Sequence, residues 1–242
     1  YDVSPLQSVI GMLYANSGTG LMRWNMPLWY IPMTFVLLLM AFWIFRSKDN
    51  LKWNITVFLL SVLVAFILYE KIRLPNLPFG LETAIYMFPF FALGKVIGSV
   101  KGEFTRKSIL VKIAVTVGCL AVGTFMTIGN GQVSYNADSY GTHGFGYFLV
   151  MAIMLCVGFV SAMCFPNGVT PINYVGRNTV GIMVMHKFPI LFFVGLLPIS
   201  KKLIGTYPLV ASSMIAILSI GMCLAASEVI YRVCPIALGK RK

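Results

Sequence analysis

The sequence predicts an all-α, polytopic membrane protein: one transmembrane helical bundle of seven spans over residues 27–242, preceded by an exterior, interfacial segment 1–26. Of the 242 residues, 58% are apolar and only 11% charged, whereas a soluble domain carries about 25% charge. Seven apolar runs, 27–45, 53–70, 80–99, 108–129, 145–165, 179–200 and 208–231, approach the ~20 residues that a helix needs to cross hydrocarbon. None shows the alternation of a barrel strand, so the backbone must be satisfied within helices.

The first 26 residues are too mixed to span; Pro5–Tyr14 reads as a short interfacial segment and Asn16–Gly20 as a turn. The run 27–45 opens on Pro27-Leu-Trp-Tyr-Ile-Pro32, which sets Trp29 and Tyr30 at a membrane edge, the usual place of an aromatic belt. Glu82 opens the run 80–99, with Tyr86 one turn below and Pro89 inside; Lys95 should reach toward the other surface. The loop 130–146 carries no Lys or Arg but offers Tyr135, Asn136, Asp138, Tyr140 and His143. In the run 179–200, Pro189 cannot donate to the Met185 carbonyl and should bend the helix beside His186.

Orientation follows from charge. With segment 46–52 cytoplasmic, twelve basic residues fall inside: Arg46, Lys48, Lys52, Lys101, Arg106, Lys107, Lys112, Arg177, Arg232, Lys240, Arg241 and Lys242. Five fall outside, Arg23, Lys71, Arg73, Lys201 and Lys202, so the C-terminus is expected in the cytoplasm. The net charge of +12 is spread in clusters between apolar runs, which points to the lipid bilayer and away from nucleic acid. Five cysteines, an odd number without Cys-x-x-Cys spacing, read as free thiols. The chain starts at Tyr1 without a signal peptide and its spans are odd in number, so upstream spans of the same protein are expected.

Chemistry is sought first at His186–Lys187, because an ionisable side chain in lipid costs several kcal/mol unless paired or wetted. An imidazole suits proton acceptance from a hydroxyl near neutral pH; the alternative is a structural histidine bonded to another helix. Lys187 points about 100° away around the helix and cannot share the same spot. Trp29, Tyr30 and Glu82 form a candidate sugar-binding set, since aromatic faces stack on sugar rings. An aromatic belt and an acid at a helix start explain the same residues. Arg177, flanked by Gly176 and Asn178 at a cytoplasmic helix start, suits a phosphate, and Lys101, Arg106 and Lys107 are placed on the same membrane face. Ordinary positive-inside charge accounts equally for the last three. No metal-ligand spacing, nucleotide-binding glycine pattern or nucleophile elbow is seen in the sequence, so no metal or bound cofactor is expected.

Three stretches carry a resemblance: Pro27-Leu-Trp-Tyr-Ile-Pro-Met-Thr-Phe35, Phe88-Pro-Phe-Phe-Ala-Leu-Gly94 and Asn173-Tyr-Val-Gly-Arg-Asn-Thr-Val-Gly-Ile-Met-Val-Met-His186. In order and spacing they resemble the acyltransferase 3 family, with the fucose 4-O-acetylase-like subgroup the best fit, although Thr179 stands where Ser is usual and Met183 where Tyr is common. The resemblance implies an O-acyltransferase that moves an acyl group, expected to be acetyl, from cytoplasmic acyl-CoA to a hydroxyl of a cell-surface or lipid-linked carbohydrate. It implies a ten-span core in a bacterial inner membrane, of which this chain would supply the last seven spans. The family's principal histidine would lie upstream of Tyr1, and the positions carried over are Trp29, Gly176 and His186. The rival expectation is a transporter or flippase for a sugar or lipid, which buried ionisable residues and broken helices would also suit; a third is an inactive fragment.

Overall fold

The computed structural model describes residues 5–15, 29–133, 139–164, 170–196 and 205–233. They are largely helical, with no strand among them, and fall into two compact units, Tyr1–Pro166 and Asn167–Lys242.

The first unit contains α1 (Pro5–Tyr14), α2 (Tyr30–Phe45), α3 (Leu51–Ile67), α4 (Leu81–Thr105), α5 (Ile109–Asn130) and α6 (Gly144–Ala162). Local chemistry sets the ends. The Asn50 side chain accepts the Trp53 N–H at 2.9 Å and starts α3, and Ser108 accepts the Val111 N–H at 3.4 Å at the start of α5. A π-helical turn, Leu68–Ile72, prolongs α3 and stops at Arg73, whose φ of 51° is left-handed. Phe79 and Gly80 are also left-handed, and a β-carbon at Gly80 would sit 3.3 Å from Met33 Cβ. Glycine therefore lets the start of α4 rest directly on α2.

Helix α4 is the spine of this unit. Its 25 residues span roughly 37 Å. Toward one end it packs Phe88 and Ala92 with Ala41 of α2 and Val57 of α3. Tyr86 joins a second core formed by Ala65, Tyr140, Phe145, Phe148, Leu149 and Met151. Aromatic rings meet edge-on in that core: Tyr69 lies 5.6 Å from Tyr86 and 4.9 Å from Tyr140, arrangements worth about 0.5–1.5 kcal/mol each beyond burial. Helices α5 and α6 interlock through glycines. A β-carbon at Gly123 would fall 2.7 Å from Leu155 Cδ2, and one at Gly158 would fall 2.8 Å from Leu120 Cδ2. Small residues at close crossings are the usual device of membrane helices, which gain by packing rather than by escape from water.

The second unit contains α7 (Thr170–Arg177), α8 (Thr179–Met185), α9 (Lys187–Leu191), a π-helical turn (Phe192–Leu196) and α10 (Pro208–Val233). Helices α8 and α9 both pack on α10.

All seven expected runs are largely helical over their described residues. Among the described residues, five helices are long and apolar enough to cross a membrane: Leu51–Ile72, Pro78–Thr105, Ile109–Asn130, Gly144–Ala162 and Val210–Val233. The other two are shorter, Tyr30–Phe45 and Gly181–Val194. The outward faces fit lipid, with Leu59, Leu63, Phe125 and Ile128 more than half exposed. The expected turn Asn16–Gly20, and Tyr135, Asn136 and Asp138 of the 130–146 loop, lie outside the described residues.

Candidate active site

His186 stands at a break. The Asn173–Asn178 stretch is already helical in α7, Asn178 forms a turn, α8 runs seven residues, and His186 separates it from α9. The histidine N–H still reaches the Ile182 carbonyl at 2.8 Å, and the Ile190 N–H reaches the His186 carbonyl at 3.2 Å. Pro189, buried in α9, has no N–H to give the Met185 carbonyl, which explains why the regular ladder fails beside the imidazole.

The imidazole Nδ1 lies 2.7 Å from the Met183 carbonyl oxygen. A carbonyl can only accept, so this bond requires the proton on Nδ1. In the neutral ring Nε2 then carries the lone pair. Half-buried His186 is thereby set up as a proton acceptor by its own backbone. Next to it, Met185, Phe188, Pro189 and Phe192 face Met222 and Cys223 of α10 around an apolar cavity of about 510 Å³.

Arg177 is exposed and closes the last turn of α7, one residue ahead of Asn178, the residue at the start of α8. The expected helix start at Thr179 is present, but a helix precedes it. A cation in the last turn of α7 is favoured by that helix's own dipole, while the Asn178 side chain turns back to the Tyr174 carbonyl at 2.9 Å instead of capping α8. The arginine therefore lies exposed at the end of α7, beside the start of α8.

In the first unit, the acceptor-side candidates share one end. Trp29 and Tyr30 meet edge-on at 6.1 Å, and Tyr30 lines a cavity of about 410 Å³ with Met33, Thr34, Met87 and Phe90. Gly80 rests on Met33, one turn beyond Tyr30, which brings the start of α4 to the same end. Glu82 is only 2% exposed and accepts the Leu77 N–H at 2.9 Å. One turn on, the Tyr86 hydroxyl accepts the Leu74 N–H at 3.3 Å. These two side chains hold the connection between α3 and α4 from within.

Tyr140 is not a loop residue available to a sugar. It is 1% exposed in the aromatic core, because buried Asn130 holds the loop: its side chain donates to the Tyr140 carbonyl at 2.9 Å and accepts the His143 N–H at 3.2 Å. Gly141, at a φ of +90°, permits this fold-back, since a β-carbon there would overlap the Asn130 side chain. His143 is exposed, its ring 4.8 Å from that of Tyr147.

Lys101, Arg106 and Lys107 lie at the other end of α4, all exposed. Glu82 and Lys101 are 19 positions apart, roughly 28 Å of helix, close to the thickness of a hydrocarbon core. Lys101 borders an apolar cavity of about 310 Å³ between α4, α5 and α6. The sequence reading missed two polar features nearby in the unit. Lys112, taken only as topological charge, is 8% exposed. Lys95 forms an ion pair with Asp49, whose carboxylate also accepts from buried Asn54 at 3.1 Å, and Asn54 reaches Ser99 at 3.0 Å. Asn54 inside an apolar run was the one signal that could have pointed there.

The family model for acyltransferase 3, described as an acyltransferase domain, matches residues 3–231. The chain belongs to the acyltransferase 3 family. No curated protein matches it, and no solved structure does. As a member of that family it is an integral membrane protein of the acyltransferase class, which the apolar helices of both units accommodate. In this acyltransferase 3 chain, His186 is the described histidine whose geometry suits proton transfer; His143 sits in the exposed corner before α6.

Proposed function

We propose that the protein takes part in O-acyl transfer from a cytoplasmic acyl-CoA, with acetyl as the group moved, to a hydroxyl of a cell-surface or lipid-linked carbohydrate. The single observation that carries this beyond the family is the Nδ1 contact of His186 with Met183 O, which leaves Nε2 to accept a proton. The acceptor hydroxyl attacks the thioester carbonyl carbon and gives its proton to Nε2. The tetrahedral oxyanion then collapses, the C–S bond breaks, and the CoA thiolate leaves and recovers the proton.

The remaining roles follow the two ends of α4. Trp29 and Tyr30 stack on the sugar, and Glu82 shapes that end from within by fixing the Leu77–Gly80 corner. Arg106, Lys107 and Lys101 of the first unit are assigned to the phosphates of CoA, and Arg177 of the second unit is separately assigned to phosphate. A bacterial inner membrane with a cytoplasmic C-terminus and fucose 4-O-acetylase-like chemistry complete the reading.

The test is a donor and acceptor panel. Membranes containing the full protein should form a base-labile ester on a carbohydrate from labelled acetyl-CoA, with one CoA thiol released per ester. Movement of intact sugar across the membrane without ester formation would favour the transporter reading instead.

A further inference from the structure

The connection between α2 and α3 covers an apolar cavity of about 500 Å³ whose walls include Met40, Trp43, Trp53, Val57, Leu60 and Phe88. Trp43 and Leu60 are more than half exposed, so the cavity opens outward between α2 and α3. Its mouth is basic. The Arg46 guanidinium stands 5.2 Å from the centre of the Trp43 ring and the Lys48 ammonium 5.7 Å from that of Trp53. Trp53 is itself fixed by its Nε1–H, which donates to the Ile44 carbonyl at 3.3 Å. Each tryptophan in the wall thus carries a cation on its face.

No carboxylate among the described residues neutralises these cations. Asp49, the acid of the same connection, is taken by Lys95 and Asn54. A slot for an aliphatic chain with two held cations at its rim is complementary to a lipid that bears a phosphate. Basic pockets between membrane helices select such headgroups. The charge asymmetry of the sequence assigns this end to the cytoplasmic leaflet, where anionic lipids gather.

We propose that this groove binds one anionic phospholipid, an acyl chain lying between Trp43 and Trp53 and the phosphate between Arg46 and Lys48. The site is separate from the residues assigned to donor and acceptor, and it stands whether or not that assignment does.

The two tryptophans are built-in reporters. The 242-residue chain carrying Trp24→Phe and Trp29→Phe, whose remaining tryptophans are Trp43 and Trp53, is placed in phosphatidylcholine bilayers with a small fraction of brominated lipid, either phosphatidylglycerol or phosphatidylcholine. Brominated phosphatidylglycerol should quench several-fold more strongly at equal fraction. Arg46→Gln with Lys48→Gln should abolish that several-fold preference, while Lys52→Gln should keep it. Equal quenching by both lipids, a preference that survives the double substitution, or protection from both lipids by a second copy would overturn the proposal. So would release of the anionic lipid by acetyl-CoA, which would assign the two cations to a soluble phosphate compound.

Discussion

His186 Nδ1 and the Met183 carbonyl oxygen lie 2.7 Å apart, a contact that forms only with the proton on Nδ1. Nitrogen NMR should therefore find the neutral imidazole of His186 as the Nδ1–H tautomer. The chain has two histidines, so His143→Gln leaves a single ring to assign. A predominant Nε2–H tautomer would place the lone pair on the wrong nitrogen for the proposed proton transfer.

Gly123 and Leu155 fix how α5 meets α6. Gly123→Leu should destabilise the protein by about 1–3 kcal/mol through overpacking, since its first added carbon would lie 2.7 Å from Leu155 Cδ2. Leu155→Ala in the same chain should recover only part of the loss, because the Leu155 backbone nitrogen would remain 3.2 Å away. Thermal unfolding in detergent measures both, and an unchanged midpoint for Gly123→Leu would refute the close crossing.

The Asp49 carboxyl is held below its ordinary value of 3.8, first by the Lys95 hydrogen bond and then by Asn54. A depressed folded value means that its stabilisation is complete above the unfolded pKa, about 3.9, and disappears as pH falls through the folded one. Asp49→Asn should lower the unfolding midpoint slightly at neutral pH, with the gap to the parent closing in acid below the usual carboxylate range. A gap that stays constant or widens in acid would contradict the pairing.

Much of this architecture was legible in the sequence because apolar length and capping are local properties. The runs 53–70 and 108–129 became helices that start beside Asn50 and Ser108, side chains able to accept the first free N–H groups. Pro189 likewise announced a disturbed helix next to His186. What escaped depends on contacts distant in the chain. Lys95 and Asp49 are 46 positions apart, and nothing in either neighbourhood names the other. Glu82 reads as a helix-start acid, yet its burial follows from left-handed Phe79 and Gly80, which fold Leu77 back over it. Tyr140 reads as loop, and only the Asn130 side chain with Gly141 draws it into the core.

Orientation can be tested at two exposed positions, Ser139 and Lys101. With the native cysteines replaced, an impermeant thiol reagent added outside should label Ser139→Cys and spare Lys101→Cys. The opposite pattern would invert the protein and separate Trp29 and Tyr30 from an exterior acceptor.

The central claim is that His186 serves acyl transfer through its Nε2. The most direct measurement is the transfer of label from acetyl-CoA to carbohydrate by membranes holding equal amounts of full-length parent, His186→Ala and His186→Asn protein. Asparagine can keep the donation to Met183 O while removing the proton acceptor. Both substitutions should therefore reduce ester formation, by about 10²-fold if proton transfer at this ring is general-base catalysis, with Asn no better than Ala. Ester formation by His186→Asn close to that of the parent would contradict the claim and leave His186 a structural link to Met183.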